Sequence, residues 1–537
     1  MRKLFKSGDP FIWLTGGALA VSLLMISALL VLVLTKALGF FWPADIVELR
    51  LKDGKDILGQ VSNREYAPAE DGTDGPDARL QIQVGNRDIY GADFRWIDEA
   101  EIASSSYPRD AVLLERREWG NLYGFVKEVR SGDSVVASGA GPGWHALEAR
   151  LPAAQNLARQ IRRIEHEDIG DINYAIENLR IEIARLKARG DDGRSLQEAE
   201  ARMGTLQQEY EQQYARLGEL IAASRVDQVV MAVAGGTDKA IPLAQIVRAY
   251  QPNDMSVARK AGLYLARLWE FVSADPRESN TEGGVFPAIF GTVLMVLIMS
   301  VAVVPFGVLA ALYLREYARQ GVLVRIVRIA VNNLAGVPSI VFGVFGLGFF
   351  VYFLGGSIDA LFFADRLPTP TFGTGGILWA SLTLALLTVP VVVVATEEAL
   401  AAVPSENREG SLALGATQFE TMWRVVLPNA LPGILTGLIL AMARGAGEVA
   451  PLMITGVVKL APSLPLDWHW PFLHLDRKFM HLGFHIYDVG FQSPNVEAAK
   501  PMVYATTLLL LTVIVTLNLT AIIIRGRLRR RFASAAF

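Results

Sequence analysis

Two opposite charges stand four residues apart in one of the most apolar stretches of the chain. Arg444 and Glu448 lie in LAMARGAGEVAPL, where every other residue is uncharged. An arginine at mid-depth in a membrane costs about 2.5–3.5 kcal/mol, so such residues usually face a cavity or a partner. The planar guanidinium can donate two hydrogen bonds to an oxyanion, and a nearby carboxylate would keep binding weak enough for release. A self-neutralising pair packed against another helix explains the same residues equally well.

Two more groups of polar residues accompany apolar runs. Asn332, Asn333 and Pro338 interrupt the run 329–355. They predict a proline kink with locally satisfied amides or, as the alternative, a gate. Four histidines stand close together before the last apolar run: His469, His474, His481 and His485. Their spacing fits no standard set of metal ligands, so we predict no metal site.

The chain lacks patterns for covalent chemistry of its own. Its 537 residues are 52% hydrophobic, carry a net charge of −3 and include no cysteine. These values exclude thiolate chemistry and disulfides, and they give no sign of nucleic-acid binding. There is no GxxxxGK[ST] phosphate-binding loop, no HExxH and no Ser-His-Asp order. We predict a protein that is not an enzyme, binds no cofactor and takes its energy from a partner.

Apolar runs of membrane length position these polar groups. The six predicted spans are 11–34, 286–313, 329–355, 375–395, 430–456 and 502–524. Lysine and arginine concentrate in four segments: before the first span, between the second and third spans, between the fourth and fifth spans, and after the last span. These segments, and with them both termini, are therefore predicted to be cytoplasmic. The chain starts with basic residues as a signal peptide does. Its first apolar run is longer than the roughly 7–15 residues of a signal peptide, which predicts an uncleaved span within residues 1–44.

The same orientation places residues 45–280 on the periplasmic side. Residues 45–135 alternate like strands between Gly- and Asp-rich turns, which predicts a β unit. Two apolar seams in 152–224, separated by a GDDG break, predict an antiparallel helical hairpin of coiled-coil type. Residues 225–275 have strand-like runs and then an amphipathic helical pattern. We predict one β domain interrupted by a helical hairpin.

The stretch EGSLALGATQFETMWRVVLP, residues 409–428, separates the fourth and fifth spans. Its apolar residues fall near one helical face and its charged residues on the other. This pattern predicts one amphipathic helix, ended by Pro428 and Asn429 before the fifth span. On amphipathicity alone, a helix lying on the lipid headgroup layer would explain it.

The spacing of this stretch resembles the EAA motif of ABC importer permeases. In that motif E-A-A is followed after three residues by G and, nine residues later, by I-x-L-P. The positions concerned are Glu409, Gly410, Ser411, Gly415, Leu427 and Pro428. Gly410 and Ser411 stand where the motif has alanines. The resemblance implies a coupling helix at 409–428 that docks into a cleft on a cytoplasmic ATPase.

Residues 282–456 are similar to the A-type permeases of phosphate importers, the PstA type. Blocks such as NLAGVPSIVFGVFGL and LPGILTGLILAMARGAGEVAPLMITG carry this resemblance. It implies an all-α polytopic membrane protein with the six transmembrane helices of the type I, MetI-like permease fold. Residues 281–537 would be the permease core. Residues 45–280 lie outside the resemblance and would be an inserted α+β extracytoplasmic domain.

The resemblance also implies a function. The chain would be the permease subunit of an ATP-driven phosphate importer in a bacterial inner membrane. Its partners would be a second permease of the PstC type, two ATPases of the PstB type that use ATP and Mg, and a periplasmic phosphate-binding protein. Arg444 and Glu448 would then be candidates for the anion pathway. Asn332, Asn333 and Pro338 would be candidates for gating.

Two alternatives stay open at this point. One is a permease for another oxyanion, such as molybdate, sulfate or phosphonate. The other is a membrane-anchored interaction protein that works through its periplasmic insert.

Overall fold

The protein is described here from a computed structural model, which covers residues 9–67, 77–190, 193–493 and 496–533. The chain divides into two compact units. The membrane unit contains the described residues up to Phe40, Val272–Asp275 and the described residues from Gly284 onward. The β-rich unit contains the described part of Phe41–Phe271 together with Pro276–Gly283.

The main helices, in chain order, are α1 (Asp9–Phe40), α2 (Ala140–Arg163), α3 (Ile169–Ala188), α4 (Arg194–Ser224), α5 (Val257–Ser273), α6 (Phe286–Leu312), α7 (Val322–Leu334), α8 (Ser339–Phe345), α9 (Gly356–Phe362), α10 (Ile377–Ala401), α11 (Ser405–Ala413), α12 (Gln418–Thr421), α13 (Leu427–Gly447), α14 (Ala450–Thr455), α15 (Leu482–Tyr487) and α16 (Val496–Ala533). Wider, π-helical turns occur at Ile164–Asp168, Tyr313–Tyr317, Gly346–Gly355, Met422–Val426 and Asp488–Gln492. A single helical turn forms at Arg87–Tyr90.

The strands are β1 (Ile46–Leu51), β2 (Asp56–Ala67), β3 (Asp77–Gln83), β4 (Phe94–Asp98), β5 (Ile102–Ser106), β6 (Val112–Arg116), β7 (Asn121–Ser131), β8 (Ser134–Ser138), β9 (Asp227–Ala232), β10 (Asp238–Pro242), β11 (Ile246–Tyr250), β12 (Pro276–Arg277) and β13 (Glu282–Gly283).

Six helical segments of the membrane unit are long and apolar enough to cross a bilayer. Spans 1 to 6 are Phe11–Phe40, Phe286–Tyr317, Ser339–Phe362, Ile377–Ala401, Gln418–Gly447 and Val496–Arg527. Their lengths of 24 to 32 residues exceed the roughly 20 that a helix needs to cross the hydrocarbon layer. The predicted number of spans is therefore confirmed.

The predicted start of the third span is wrong. The segment 329–355 was expected to be one interrupted span, but span 3 begins at Ser339. Asn332 and Asn333 instead lie at the end of α7, a separate helix that ends at Leu334, and Pro338 precedes α8. A proline disfavours helical geometry in the residue before it, so the chain turns here before the span begins.

The predicted fifth span, 430–456, is displaced in the structure. Span 5 begins at Gln418 and ends at Gly447, and Pro428 lies inside it. The expectation that Pro428 and Asn429 end the preceding helix is therefore wrong. Proline lacks a backbone N–H, but the turn just before it is π-helical, so the hydrogen-bond register already changes where that donor is missing.

The core of the membrane unit lies where spans 2, 4 and 5 pack together. Its fully buried residues include Met295, Met299 and Val303 of α6, Leu384 and Val392 of α10, and Ala441 and Ala446 of α13. On α13, a Cβ atom at Gly433 or Gly437 would lie 2.4 or 2.6 Å from the Cβ atoms of Ala399 and Ala395. These glycines let α13 and α10 approach closely, as small residues do at helix crossings in membranes.

The β-rich unit has two larger antiparallel sheets. One has the strand order β4-β3-β2-β1-β5, and the other has the order β10-β9-β7-β6-β11 with β8 added beside β7. α2 covers the second sheet with Leu147 and Leu151, which join its buried cluster. A Cβ at Gly143 would lie 2.8 Å from Cγ1 of Val126, so glycine permits this close packing of helix on sheet.

A helical hairpin separates β8 from β9. α2, the turn Ile164–Asp168 and α3 form its first arm, and α4 returns antiparallel to α3, with Lys187 paired to Glu200 at 3.0 Å. The helical region begins earlier than the predicted residue 152. Pro152 lies inside α2, whereas Gly139, with φ +85°, ends the strand and starts the helix.

A cluster of buried charges joins α5 to the sheet. Glu115 of β6 is 7% exposed and accepts hydrogen bonds from Arg248 at 2.8 Å and from Nε of Arg267 at 3.0 Å. Glu270 in turn pairs with Arg248 at 2.7 Å and with Arg277 at 2.5 Å. Burial opposes ionisation of Glu115, but the two neighbouring guanidinium groups lower its pKa.

Candidate functional site

Residues 405–426, called here the coupling segment, are two helices joined by a tight turn. α11 ends at Ala413, and Gly415 takes the left-handed conformation with φ +89°. The N–H of Gly415 donates to the carbonyl of Leu412 at 2.9 Å, as is common where an α-helix ends at a glycine in the left-handed conformation. The prediction of one continuous helix over 409–428 is therefore wrong. Gly415 breaks the segment into two helices.

A capping box starts the second helix of the coupling segment. The Thr417 hydroxyl accepts from the N–H of Glu420 at 3.2 Å, and the Glu420 carboxylate accepts from the N–H of Thr417 at 3.0 Å. These reciprocal bonds satisfy two donors that a helix start otherwise leaves unpaired. The Thr-x-x-Glu spacing is visible in the sequence and could have predicted this break.

One side-chain bond connects the two helices across the turn. The hydroxyls of Ser411 and Thr421 are 2.9 Å apart, and Thr421 is fully buried. Ser411 is one of the two positions that differ from the alanines of the EAA motif. Its hydroxyl thus makes a contact that alanine could not.

Contacts with neighbouring loops hold the coupling segment on the membrane unit. Arg408 donates to the Glu316 carboxylate at 3.1 Å, and Gln418 donates to the Glu316 carbonyl at 3.2 Å. Met422 and Val426 are buried in a cluster with the end of α10. Sequence reasoning missed Arg408, Glu316 and Gln418, because the two sides of these contacts are far apart in the chain.

The outer side of the coupling segment is apolar and uncovered. The exposed residues are Leu412 (49%), Leu414 (91%), Phe419 (63%) and Trp423 (46%). The rings of Phe419 and Trp423 are 5.9 Å apart, so they form one surface. Glu409 and Gly410 are exposed beside it, and no atom lies within 4 Å of a Cβ built on Gly410 or Gly415. An exposed apolar cluster rimmed by polar residues is typical of a protein contact surface.

Arg444 and Glu448 lie at the end of span 5 and not at its middle. Arg444 is in the last turn of α13, and Glu448 leaves the helix with an extended backbone before α14 begins. Nε of Arg444 is 3.7 Å from Oε1 of Glu448, and the two side chains are 34% and 21% exposed. Gly445 faces α6, because its Cβ would lie 2.5 Å from Sδ of Met299, whereas Gly447 is exposed with no atom nearby. The pair is therefore partly accessible beside a tight helix contact.

Asn332 lines an open groove of about 430 Å³ in the membrane unit. The groove is formed by the end of α7 with α10 and α13, and its other polar side chain is Glu398. Asn333 and Pro338 are exposed but do not line it. Glu397, the residue before Glu398, pairs with Arg328 of α7 at 3.0 Å and so connects α7 to α10. The three candidate gating residues are thus not brought to one place.

The four histidines do not converge. His474 and Arg477 bond Asp467 at 2.9 and 2.6 Å. Burial opposes ionisation of Asp467, but bonds from the His469 backbone and from these two side chains lower its pKa to about 2. Further along the chain, His481 accepts from the backbone at the start of α15. Within the described ranges, no three His, Asp or Glu side chains are grouped so that they could hold a metal ion.

The chain is similar to known transport proteins. Residues 303–534 match the family model of the binding-protein-dependent transport system inner membrane component. The phosphate transport system permease protein PstA 1 of Mycobacterium tuberculosis is 36% identical over 251 residues, which are 46% of this chain and 73% of the relative. The probable ABC transporter permease protein YqgI of Bacillus subtilis is 30% identical over 43% of this chain and 74% of its own length.

A solved structure is also similar. The MetNI methionine ABC transporter, in an inward-facing conformation, matches with 20% identity and a TM-score of 0.33, over 51% of this chain and 99% of that chain. At that TM-score the likeness identifies neither substrate nor mechanism.

This chain belongs to the family of binding-protein-dependent transport system inner membrane components. It is a multi-pass inner membrane protein and the permease component of an ABC transporter, not its catalytic part. ATP hydrolysis in such a system is performed by separate ATPase subunits, and substrate is delivered by a binding protein. The predicted fold class is confirmed: six candidate membrane helices of an importer permease with an additional β-rich unit that contains helices.

Proposed function

We propose that this permease imports phosphate. The observation that carries the proposal is the 36% identity to PstA 1 of Mycobacterium tuberculosis. Further support comes from the 34% identity, over 60% of its length, to a probable phosphate transport system permease protein PstA of Methanocaldococcus jannaschii. The chain would pair with a PstC-type permease and two PstB-type ATPases that use ATP and Mg. A periplasmic phosphate-binding protein would deliver the ion.

The coupling segment transmits the motion of the ATPases in this proposal. Its apolar surface of Leu412, Leu414, Phe419 and Trp423 would enter the ATPase cleft, with Glu409 and Gly410 at its edge. The bonds of Arg408 and Gln418 to Glu316 would carry the movement to the end of span 2. Since span 5 contains the second helix of the segment and runs on through Leu427 and Pro428, a displacement of that helix would move the span as well.

Arg444 and Glu448 form a transient anion site in the same proposal. Their separation of 3.7 Å is longer than a hydrogen bond, so the guanidinium keeps donors available to a phosphate oxygen. The carboxylate lowers the affinity and so permits release. Asn332 and Glu398 of the open groove, together with Asn333 at the end of α7 and Pro338 before α8, would change their contacts as the path opens and closes.

The orientation follows from the basic loops. Both termini and the coupling segment would be cytoplasmic, and the β-rich unit would be periplasmic. There it would meet the binding protein or the partner permease.

The test is ATP hydrolysis by the complete transporter, co-purified and reconstituted in lipid. Phosphate together with the binding protein is expected to stimulate hydrolysis. Molybdate, sulfate and phosphonate are the matched controls. Stimulation by one of these and not by phosphate would assign the permease to that oxyanion. Absence of any co-purifying ATPase would contradict the proposed transport role of this chain.

A further inference from the structure

Helix α5 of the β-rich unit turns three of its four charged side chains inward, alongside the buried Phe271 and the partly buried Leu263. A helix at the surface of a water-soluble domain normally turns its apolar stripe inward and its charges outward. In α5 the charged side chains Lys260, Arg267 and Glu270 point into the unit and are only 12%, 17% and 19% exposed. The outward face has no charge from Ala261 to Trp269.

Ion pairs explain the inward face. Lys260 pairs with Asp45, and Arg267 pairs with Glu115 in the buried cluster described above. Glu270 completes that cluster through Arg248 and Arg277. These paired charges fix the rotation of α5 about its axis, because turning the helix would break the bond of Arg267 to Glu115 and the bonds of Glu270 to Arg248 and Arg277.

Large apolar side chains protrude from the outward face. Val257 is 74% exposed, Leu265 is 63% exposed and Trp269 is 71% exposed. Between them lie the exposed small residues Ala258, Ala261, Gly262 and Ala266. The three large residues stand at intervals of eight and four, so they follow one stripe of the helix.

The β-rich unit is connected to a membrane span at each end. The bilayer is therefore near the unit, and we take lipid as the partner that covers this stripe. The unit begins at Phe41, directly after span 1, and it ends at Gly283, just before span 2 at Phe286. The inner side of α5 packs on the first of these junctions, where the Tyr264 ring is 6.3 Å from Phe41 and 6.1 Å from Trp42. Tryptophan and tyrosine are enriched where proteins meet the lipid headgroups. Arg259, exposed at the start of the helix, can reach lipid phosphates.

We propose that α5 lies along the membrane surface, with Val257, Leu265 and Trp269 inserted at the boundary between lipid headgroups and acyl chains. The helix then anchors the β-rich unit to the bilayer through a face distinct from the two spans that flank the unit. This anchoring does not depend on which ion the permease carries.

Spin labelling tests the proposal, because the chain has no native cysteine and each introduced one is unique. The variants are Leu265→Cys and Ala261→Cys on the outward face, each in the full chain reconstituted in vesicles of phosphatidylethanolamine and phosphatidylglycerol. Leu24→Cys in α1 gives the lipid reference and Val135→Cys in β8 gives the water reference. Both reference residues are exposed, at 69% and 53%.

The measured quantity is the ratio of nitroxide relaxation by oxygen, which concentrates in lipid, to relaxation by a water-soluble nickel chelate. The proposal expects the ratio at positions 261 and 265 to rise above that of Val135→Cys toward that of Leu24→Cys. A ratio equal to that of Val135→Cys would show a face in water and overturn it. Low collision with both reagents would show that protein covers the face, which overturns it too.

Discussion

Arg444 is held by its carboxylate neighbour loosely enough to exchange partners. The guanidinium is about one-third exposed and 3.7 Å from Glu448, beside a helix contact through Gly445 that has no spare volume. The pair therefore supports a direct test of the anion path.

Arg444→Gln keeps a polar side chain that can donate hydrogen bonds but removes the charge. We expect phosphate uptake to fall by about tenfold or more, since losing about 1.4 kcal/mol of anion stabilisation is enough for that. Uptake of labelled phosphate is measured at equal amounts of assembled transporter. Arg319→Gln, which removes an exposed arginine from the same unit, is the matched control and should transport normally. Normal uptake by Arg444→Gln with normal assembly would rule out a role in the path.

Glu282 of the β-rich unit is a second residue whose protonation can be tested, through the pH dependence of stability. Burial raises its pKa to about 7, with Glu115 and Asp93 acting in the same direction and Arg277 and Arg87 opposing them. The folded state therefore holds this proton more tightly than the unfolded state does. The free energy of unfolding should fall as pH rises from about 4.5 to 7 and then level off.

Glu282→Gln removes this titration with little change of shape. We expect it to raise the stability of the protein at pH 8, by at most about 3 kcal/mol, and to change it little at pH 4.5. Thermal unfolding of the full chain in detergent at both pH values measures the effect. Glu219→Gln, at an exposed glutamate of α4, should shift neither midpoint. An equal gain at both pH values would show that Glu282 does not titrate as stated.

At the scale of elements, the coupling segment depends on one glycine conformation. Gly415 has φ +89°, a region that side chains with a Cβ avoid, whereas Gly410 lies inside α11. Both positions have free space for a Cβ. The two glycines therefore separate backbone strain from steric obstruction.

Gly415→Ala should strain the turn by about 1 kcal/mol and reduce the phosphate transported per ATP hydrolysed. Gly410→Ala should stabilise α11 by about 0.5–1 kcal/mol and keep coupling at least as tight. The amount of phosphate transported per ATP hydrolysed is measured for each variant on the reconstituted transporter. Equal ratios for the two variants would show that the left-handed turn does not matter for coupling.

Apolar run length was enough to predict six spans, and alternation of apolar residues was enough to predict the β-rich unit. The Thr417-x-x-Glu420 spacing also indicates the break in the coupling segment. Other features depend on tertiary contacts that spacing does not reveal. The Ser411–Thr421 bond requires the turn to be formed, and the Arg408–Glu316 pair joins α11 to the end of span 2, which is far away in the sequence. Pro428 lies inside span 5 just after a π-helical turn, and that turn has no clear sequence signature.

At the scale of the whole molecule, the proposed orientation puts α4 of the β-rich unit and the loop after span 2 on opposite sides of the membrane. Tyr214→Cys on α4 should react with a membrane-impermeant maleimide in intact spheroplasts, since this side chain is 62% exposed and would be periplasmic. Arg319→Cys should react only after permeabilisation, because the loop after span 2 would be cytoplasmic. Labelling is read by mass shift on a gel. Reaction of both variants, or of neither, in intact spheroplasts would contradict the orientation.

The helical hairpin has a consequence for the order in which the β-rich unit folds. β6 and β7 pair with β11 and β9, which are synthesised only after α2, α3 and α4. Bringing such distant strands together through a flexible loop would cost closure entropy and delay folding. The hairpin is stabilised by contacts near in sequence, so it can form first and return the chain to its starting point, where Arg150 meets Asp227 at 3.2 Å. The two arms can thereby shorten the time during which the strands of this unit expose unpaired edges to aggregation.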